Sequence, residues 1–395
     1  MVTDAHGRWA WIDVDLDAIE HNVEVLRAVV APSEVWCVVK ANGYGHGATD
    51  VARAALSAGA AGLCVALVQE GVELRAAGID APILVLSEQP EAMVETIVGH
   101  RLTPTVYTPA FIRALAAAVS EAGVTGVPVH LKVDTGMQRV GAHPDDVDAL
   151  VALLDDHAPM LRLAGVFTHL AMADEPDDRA TSTQLATFDG VLAALGGSQR
   201  LGPGVAVHVA NSAGALAHPT SRRAFVRAGI AVYGISPGRG VDELCGALRP
   251  ALALRAKVSF VKPVRAGSHI SYGWRHRFAT DTTVATVPIG YADGVPRRLS
   301  STGGEVLIGG RRRPIVGVVT MDQLMVDCGQ GGDPVRPGDE VVLIGEQDGQ
   351  DGPQRIRAED WAELLGTIGY EIVCGISDRV PRRTSRSIDA GMVER

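Results

Sequence analysis

At 395 residues, 47% hydrophobic and 21% charged, the chain is long enough for two domains with sizeable cores. A formal net charge of −10, with no concentrated stretch of Lys and Arg beyond Arg311–Arg313, excludes a phosphate-neutralising surface, so no nucleic-acid partner is expected. No run of about 18 apolar residues occurs, so no membrane-spanning helix is expected. The first residues carry acids and no long apolar stretch, which reads as a cytoplasmic protein without a signal peptide.

In chain order, the region from about residue 12 to 245 alternates short Val/Ile-rich runs with longer amphipathic ones. The strand candidates are 35–40, 62–67, 82–87, 102–107, 127–134, 163–169, 205–211 and 226–234. Helical stretches such as LDAIEHNVEVLRAVV and TPAFIRALAAAVSEAG lie among them. Strands without polar alternation are buried on both faces, as in a parallel sheet. Eight βα units at this length predict a (β/α)8 TIM-like barrel over 1–245. A doubly wound open sheet is the alternative, and GxGxxG is absent after the first strand candidate. From 246 to 395 the pattern changes to short strands separated by Gly, Pro and Asp turns, which predicts a mainly antiparallel β domain with a helix beginning at Ala358. Arg311, Arg312 and Arg313 read as a solvated turn, and the polar tail from Arg382 as frayed. Five scattered cysteines without metal spacing read as reduced thiols, and no metal site is expected.

Functional residues of such a barrel sit where its strands end. The first candidate strand ends in Lys40, followed by the Gly-rich ANGYGHG. A half-desolvated lysine there could form an imine with an aldehyde cofactor, or it could simply snorkel from a strand end. The fifth strand supplies Lys132 and, after a turn, Arg139; these pair with Asp134 or serve a site. The sixth ends in His169, a satisfied core histidine or a catalytic one. The seventh ends in Asn211-Ser212 and the eighth contains Arg227, where barrels of this kind bind phosphate. A lysine at strand one facing an anion site at strands seven and eight suits pyridoxal phosphate.

VVKANGYGHG, HLKVDTGMQRVG, THLAMADE, HVANSAGAL, VRAGIAVYGISP, ISYGWRHRF, PIGYADG, TMDQLMVD and GYEIVCGISDRVPR occur in this order along nearly the whole chain. In that order they resemble the successive motifs of alanine racemases. The resemblance implies that Lys40 carries pyridoxal phosphate as a Schiff base and acts as one of two catalytic bases. It implies that Tyr272 is the other, delivered by the β domain of a second subunit in a homodimer, with His169 and Arg227 as a relay behind it. Arg227 would also meet the pyridine nitrogen. Tyr44, Asn211, Ser212, Gly229, Ile230 and Tyr370 would surround the cofactor, mainly its phosphate. Arg139 would reach the cofactor phenol and the substrate carboxylate, braced by a carbamylated Lys132. Met321 would offer its backbone N–H to that carboxylate, with Asp322 in support. The implied activity is interconversion of L- and D-alanine, supplying D-alanine for peptidoglycan. Racemisation removes a proton from one face of the α-carbon and returns one to the other, so two opposed bases are the direct solution.

Three positions depart from the common pattern: Gly43 where Ala is frequent, Thr320 where Cys is often found, and Val318 where many members have Arg. The last two bear on the substrate corridor and hence on substrate breadth. A serine or basic amino-acid racemase of the same fold would share every catalytic residue. A barrel-fold pyridoxal phosphate decarboxylase would use a Gly-rich phosphate segment and a Cys from its second domain, where this chain has NSAG and Tyr272.

Overall fold

A computed structural model of the chain describes residues 7–196, 201–202, 204–330, 334–350 and 352–386. These divide into two compact units, one of residues 18–249 and one combining the N-terminal residues to Asp17 with Pro250 onward. The chain opens with strand β1 (Ala10–Asp15) and helix Leu16–Val30. The first unit then supplies β2 (Glu34–Val38), β3 (Gly62–Val65), β4 (Ile83–Val85), β5 (Thr103–Val106), β6 (Val127–Lys132), β7 (Leu161–Phe167), β8 (Ala206–His208) and β9 (Phe225–Ala228). Each falls within or beside one of the eight expected runs. They form one parallel sheet in the order β8-β7-β6-β5-β4-β3-β2-β9. The sheet closes through Ala224 N–H to Val207 O and Arg227 N–H to Ala210 O, both 2.9 Å. The barrel is thus nearly closed, and all eight C-terminal strand ends turn toward one mouth.

The barrel interior holds a stack of rings. Trp36 lies on Phe225 at 4.5 Å, Phe225 on His208 at 4.1 Å, and His208 on Phe167 at 4.6 Å. His130 joins through Nδ1, 2.9 Å from His208 Nε2. Its space exists because the facing residue in register is Gly165, where a Cβ would stand 2.6 Å from the imidazole.

The other unit is built on a sheet containing β10 (Leu252–Lys257), β11 (Phe260–Val264), β14 (Thr282–Val287), β15 (Glu305–Ile308), β16 (Arg311–Val316), β17 (Leu324–Gly329), β18 (Glu340–Gln347), β19 (Gln354–Ile356) and β20 (Arg382–Ser385). A separate two-stranded ribbon joins β12 (His269–Ile270) to β13 (His276–Arg277). Pairing is antiparallel throughout except between β1 and β20. The helix expected from Ala358 spans Ala358–Leu365.

Three expectations are corrected. The divide lies at 249/250 rather than 245/246, and the first residues leave the barrel: β1 is clasped between β10 and β20, so its hydrogen bonds belong to the β unit. Arg311–Arg313 is no turn but the start of β16, with Arg313 buried and donating to Cys328 O and to Ile308 O. The tail is not frayed at Arg382, because β20 pairs in register with β1. Among the described residues no helix is long and apolar enough to cross a membrane.

Replacing Gly165 with Ala should destabilise the protein by roughly 1–3 kcal/mol, because overpacking here displaces a ring already held by a hydrogen bond. Urea denaturation checks this, and an unchanged midpoint would mean that the His130 ring moves aside freely.

Candidate active site

Barrel closure gathers the strand-end residues. Lys40 stands two residues beyond β2, and its half-buried amine has no hydrogen-bond or ion-pair partner among the described residues. The chain beyond it is strained: Ala41, Asn42, Gly43 and Tyr44 all have φ between +51° and +61°. A left-handed stretch of non-glycine residues costs about 1–2 kcal/mol per residue, and such outliers cluster at functional sites. What holds it is visible. Gly43 N–H donates to Val39 O at 2.9 Å, Gly47 N–H to Asn42 O at 2.9 Å, and Ala48 N–H to Asn42 Oδ1 at 3.0 Å. Glu70 pins the start of the turn, accepting from Ala41 N–H at 2.6 Å while its other oxygen takes Ala66 and Leu67 N–H.

Arg227 is buried in β9 and has no carboxylate partner among the described residues. Its Nη1 lies 2.7 Å from His208 Nδ1; Nη2 donates to Thr168 O at 2.8 Å and Val209 O at 3.0 Å and lies 3.3 Å from His169 Nδ1. Its Nε has no hydrogen-bond partner among the described residues. Burial pulls Arg227 down to about 10, which still leaves it cationic at neutral pH. Burial, then the Arg227 charge, holds His130 at about 3 and His208 well below the usual range. For His169 the causes are burial, then Arg227, Lys132, Arg139 and Lys40. All three rings are therefore neutral, and His208 can accept from the guanidinium. Lys132 is brought to about 8 by burial, then by Arg227 and Arg139, with Asp134 opposing and Lys40 adding. It lies in a cleft lined also by Arg139, Thr168 and His169. Neither Lys132 nor Arg139 pairs with Asp134 among the described residues; that carboxylate instead accepts from Gly136 and Gln138 N–H.

Beside these cations is a small cradle. Asn211 caps helix Ser212–Ala217 by accepting from Gly214 N–H at 2.9 Å. Ser212 Oγ accepts from Gly229 N–H at 2.9 Å, locking β9 to that helix, and Ile230 follows fully buried. A Cβ at Gly229 would stand 2.6 Å from Tyr44 Oη, so only glycine leaves the tyrosine in place.

The remaining expected residues belong to the β unit. Tyr272 sits in a turn entered through Ser271 at φ +66° and is 72% exposed, although aromatic. Trp274 (71%) and Met321 (53%) are exposed nearby in sequence or space, so the turn displays apolar surface rather than packing it. Ser271 Oγ donates to Val318 O at 3.0 Å, which ties the Tyr272 turn to the segment leading to Met321. Thr320 Oγ1 donates to Gln323 O at 2.8 Å, so the hydroxyl at this unusual position closes the Met321 turn. Asp322 accepts from Arg379 at 2.8 Å. Tyr370, half-buried, lies in helix Gly369–Cys374.

Sequence reasoning missed His130, His208 and Glu70. The two histidines carried a signal: each interrupts an apolar barrel strand, and His130 alternates with Lys132, which places both on one face of β6. Glu70 carried none, since its role depends on a turn 29 residues earlier in the chain.

Residues 14–237 match the family profile described as alanine racemase, N-terminal domain, and residues 251–384 match the alanine racemase, C-terminal domain. The chain is 47% identical over 378 residues to an alanine racemase of Symbiobacterium thermophilum, spanning 95% of this chain and 97% of that one. With an alanine racemase of Thermobifida fusca it shares 44% over 371 residues, 93% and 96% of the two chains. The crystal structure of alanine racemase from E. faecalis matches with a TM-score of 0.88 at 39% identity, over 98% of this chain and 100% of that one. An alanine racemase from Bartonella henselae with covalently bound pyridoxal phosphate matches with a TM-score of 0.84 at 29% identity, over 95% and 99%.

The neutral histidines make stability depend on pH. The unfolded chain takes up their protons near pH 6.5 while the folded chain refuses them, so stability is lost as pH falls below 6.5. Each contributes a slope of up to about 1.4 kcal/mol per pH unit. Urea midpoints measured at pH 7.5, 6 and 5 should fall progressively. Replacing His130 with Gln should make the fall shallower, and an equally steep fall would locate the effect elsewhere.

Proposed function

Because the chain belongs to the alanine racemase family, we propose that it interconverts L- and D-alanine with Lys40 and Tyr272 as opposed bases, pyridoxal phosphate as cofactor, and a homodimer as the working unit. Its product would supply D-alanine for peptidoglycan. The observation that carries this reading is the convergence of Lys40, Lys132, Arg139 and Arg227 at one barrel mouth, their mutual field opposed by Asp134. Such a site calls for anions, and a phosphorylated cofactor with a carboxylate substrate provides them.

The residues present fit pyridoxal phosphate. The glycine-dependent cradle at Gly229, with Tyr44, Asn211, Ser212 and Ile230, suits a phosphate, and Tyr370 is assigned to the same group by the family pattern. Among the described residues Arg227 Nε and the Lys40 amine have no hydrogen-bond partner, which suits the pyridine nitrogen and the aldehyde of the cofactor. When bound, the cofactor withdraws electrons from the substrate α-carbon and so acidifies its proton.

This chain's residues then divide the work. Lys40 takes or returns the proton on one face, and Tyr272, from the second subunit, serves the other. His169 and Arg227 would stand behind Tyr272 as a hydrogen-bonded relay. Arg227, which can only donate, would face the pyridine nitrogen, and its charge there would disfavour a proton on that nitrogen. Arg139 and the Met321 N–H would hold the substrate carboxylate, with Asp322 steadying the Met321 turn. The exposure of Tyr272, Trp274 and Met321 supports their delivery to a second copy of the chain.

A chiral assay of the purified protein against each L-amino acid should show alanine racemised fastest. Lys40→Ala and Tyr272→Phe should each abolish activity, and mixing them should restore about a quarter of wild-type activity, since half the dimers then hold one intact site. No recovery after demonstrated subunit exchange would mean that each chain completes its own site.

Lys132 is the candidate for carbamylation. At about 8 its amine is partly neutral near pH 7, and the neutral amine adds to carbon dioxide, releasing a proton and leaving a carbamate anion. That anion would accept charge-assisted hydrogen bonds from Arg139, where an ammonium would repel it. Protein equilibrated with 13C-bicarbonate should give a carbamate signal that Lys132→Ala lacks. A spectrum without that signal in the wild-type protein would refute the modification.

A further inference from the structure

Asp293, in the PIGYADG segment, is fully buried, and the proposed chemistry does not use it. Its Oδ2 accepts from Gly290 N–H at 3.0 Å, while Oδ1 lies 2.6 Å from Arg8 Nη2 and 3.5 Å from Arg379 Nε. Its own carbonyl accepts from Ser377 N–H at 3.1 Å. One carboxylate thus joins the N-terminal segment, the 290–294 turn and the 377–379 segment, all within the β unit.

The elements it joins are those that hold the Met321 turn. Tyr291 N–H donates to Thr320 O and Ala292 N–H to Met321 O, both at 3.0 Å. Gly290 lies so close beneath the turn that a Cβ there would be 2.5 Å from the Met321 carbonyl carbon. From the other side, Arg379 Nη2 donates to Asp322 Oδ1 at 2.8 Å while its Nε faces Asp293. The turn is otherwise exposed, and the Met321 N–H makes no hydrogen bond among the described residues. A short exposed turn with an unspent N–H holds its direction only if its flanks are fixed. Besides the Ser271–Val318 and Thr320–Gln323 bonds, two fixings run to the same buried charge, one through Gly290 and one through Arg379.

We propose that Asp293 is a positioning residue that aims the Met321 N–H at the substrate carboxylate. This rests on the reading of Met321 as a carboxylate-binding group. Asp293 touches neither substrate nor cofactor; it acts through the turn. An N–H that meets the carboxylate equally before and during proton transfer contributes uniform binding, so loosening it raises KM and leaves kcat nearly unchanged.

The experiment uses the holoenzyme with Asp293→Asn and, as a variant with little risk to folding, Arg379→Met, whose side chain is half exposed. Each should raise KM for alanine about tenfold, the loss of one charge-assisted hydrogen bond, with kcat within about threefold of wild type. Amide hydrogen exchange of residues 318–323 should quicken in both variants, while the visible absorption of the bound cofactor stays as in wild type. Arg379→Lys, which retains a charge but cannot reach both carboxylates at once, should fall between. KM within about twofold of wild type in both variants, or unchanged exchange at 318–323, would overturn the proposal. If the wild-type protein itself fails to racemise alanine, the functional reading falls; the exchange measurement still decides whether Asp293 holds the turn.

Discussion

Burying a guanidinium without a carboxylate is costly unless neutral acceptors and rings surround it. Arg227 is met by two backbone carbonyls, by the His208 imidazole, and by the Phe167 ring 5.0 Å away. Each of those partners constrains something else. His208 must present Nδ1 as an acceptor, so its Nε2 is the protonated nitrogen facing His130, and Gly165 must be small for His130 to fit. The Thr168 and Val209 carbonyls come from the chain just beyond β7 and β8, so the arginine also staples three strand ends at the point where the barrel closes. The mouth that results is rich in cations and short of native counter-charge.

That surplus explains why the barrel's reactive groups have unusual properties. Lys132 is drawn toward neutrality and His169 is kept neutral by burial and the surrounding charges. A carboxylate beside Arg227 would relieve this field, but it would also occupy the donor that the site keeps free. In the proposed reading an anionic ligand would supply the missing charge.

The β unit solves a different problem. Its turns leave Tyr272 and Met321 exposed, and an exposed turn wanders unless its backbone is held. Ser271 bonds Val318, Thr320 closes on Gln323, and the buried Asp293 braces the flanks. The first strand, β1, is recruited from the far end of the chain, and it brings Arg8 to that carboxylate. Rigidity at the turn therefore depends on residues more than 280 positions away in sequence, joined by sheet pairing rather than by local propensity.

The eight barrel strands were legible in the sequence because a strand buried on both faces must be apolar throughout, and no other element of that length reads so. Lys40, Lys132, His169, Ser212 and Arg227 stood out as candidates for the same reason, as polar residues at the ends of, or inside, apolar runs. The ordered motifs carried the family. What the local pattern did not reveal were pairings between distant segments. AWIDVD reads as part of the barrel and RRTS as a frayed tail until they pair with each other, and Arg313 reads as a surface charge until β16 turns it inward. The His130–His208–Arg227 chain, the hold of Glu70 on the Lys40 turn and the bracing of Met321 by Asp293 each join residues from separate elements. A sequence records which residues must be buried, through their hydrophobicity and period. Which buried polar groups then meet was decided only by the closure of the barrel and the order of the strands.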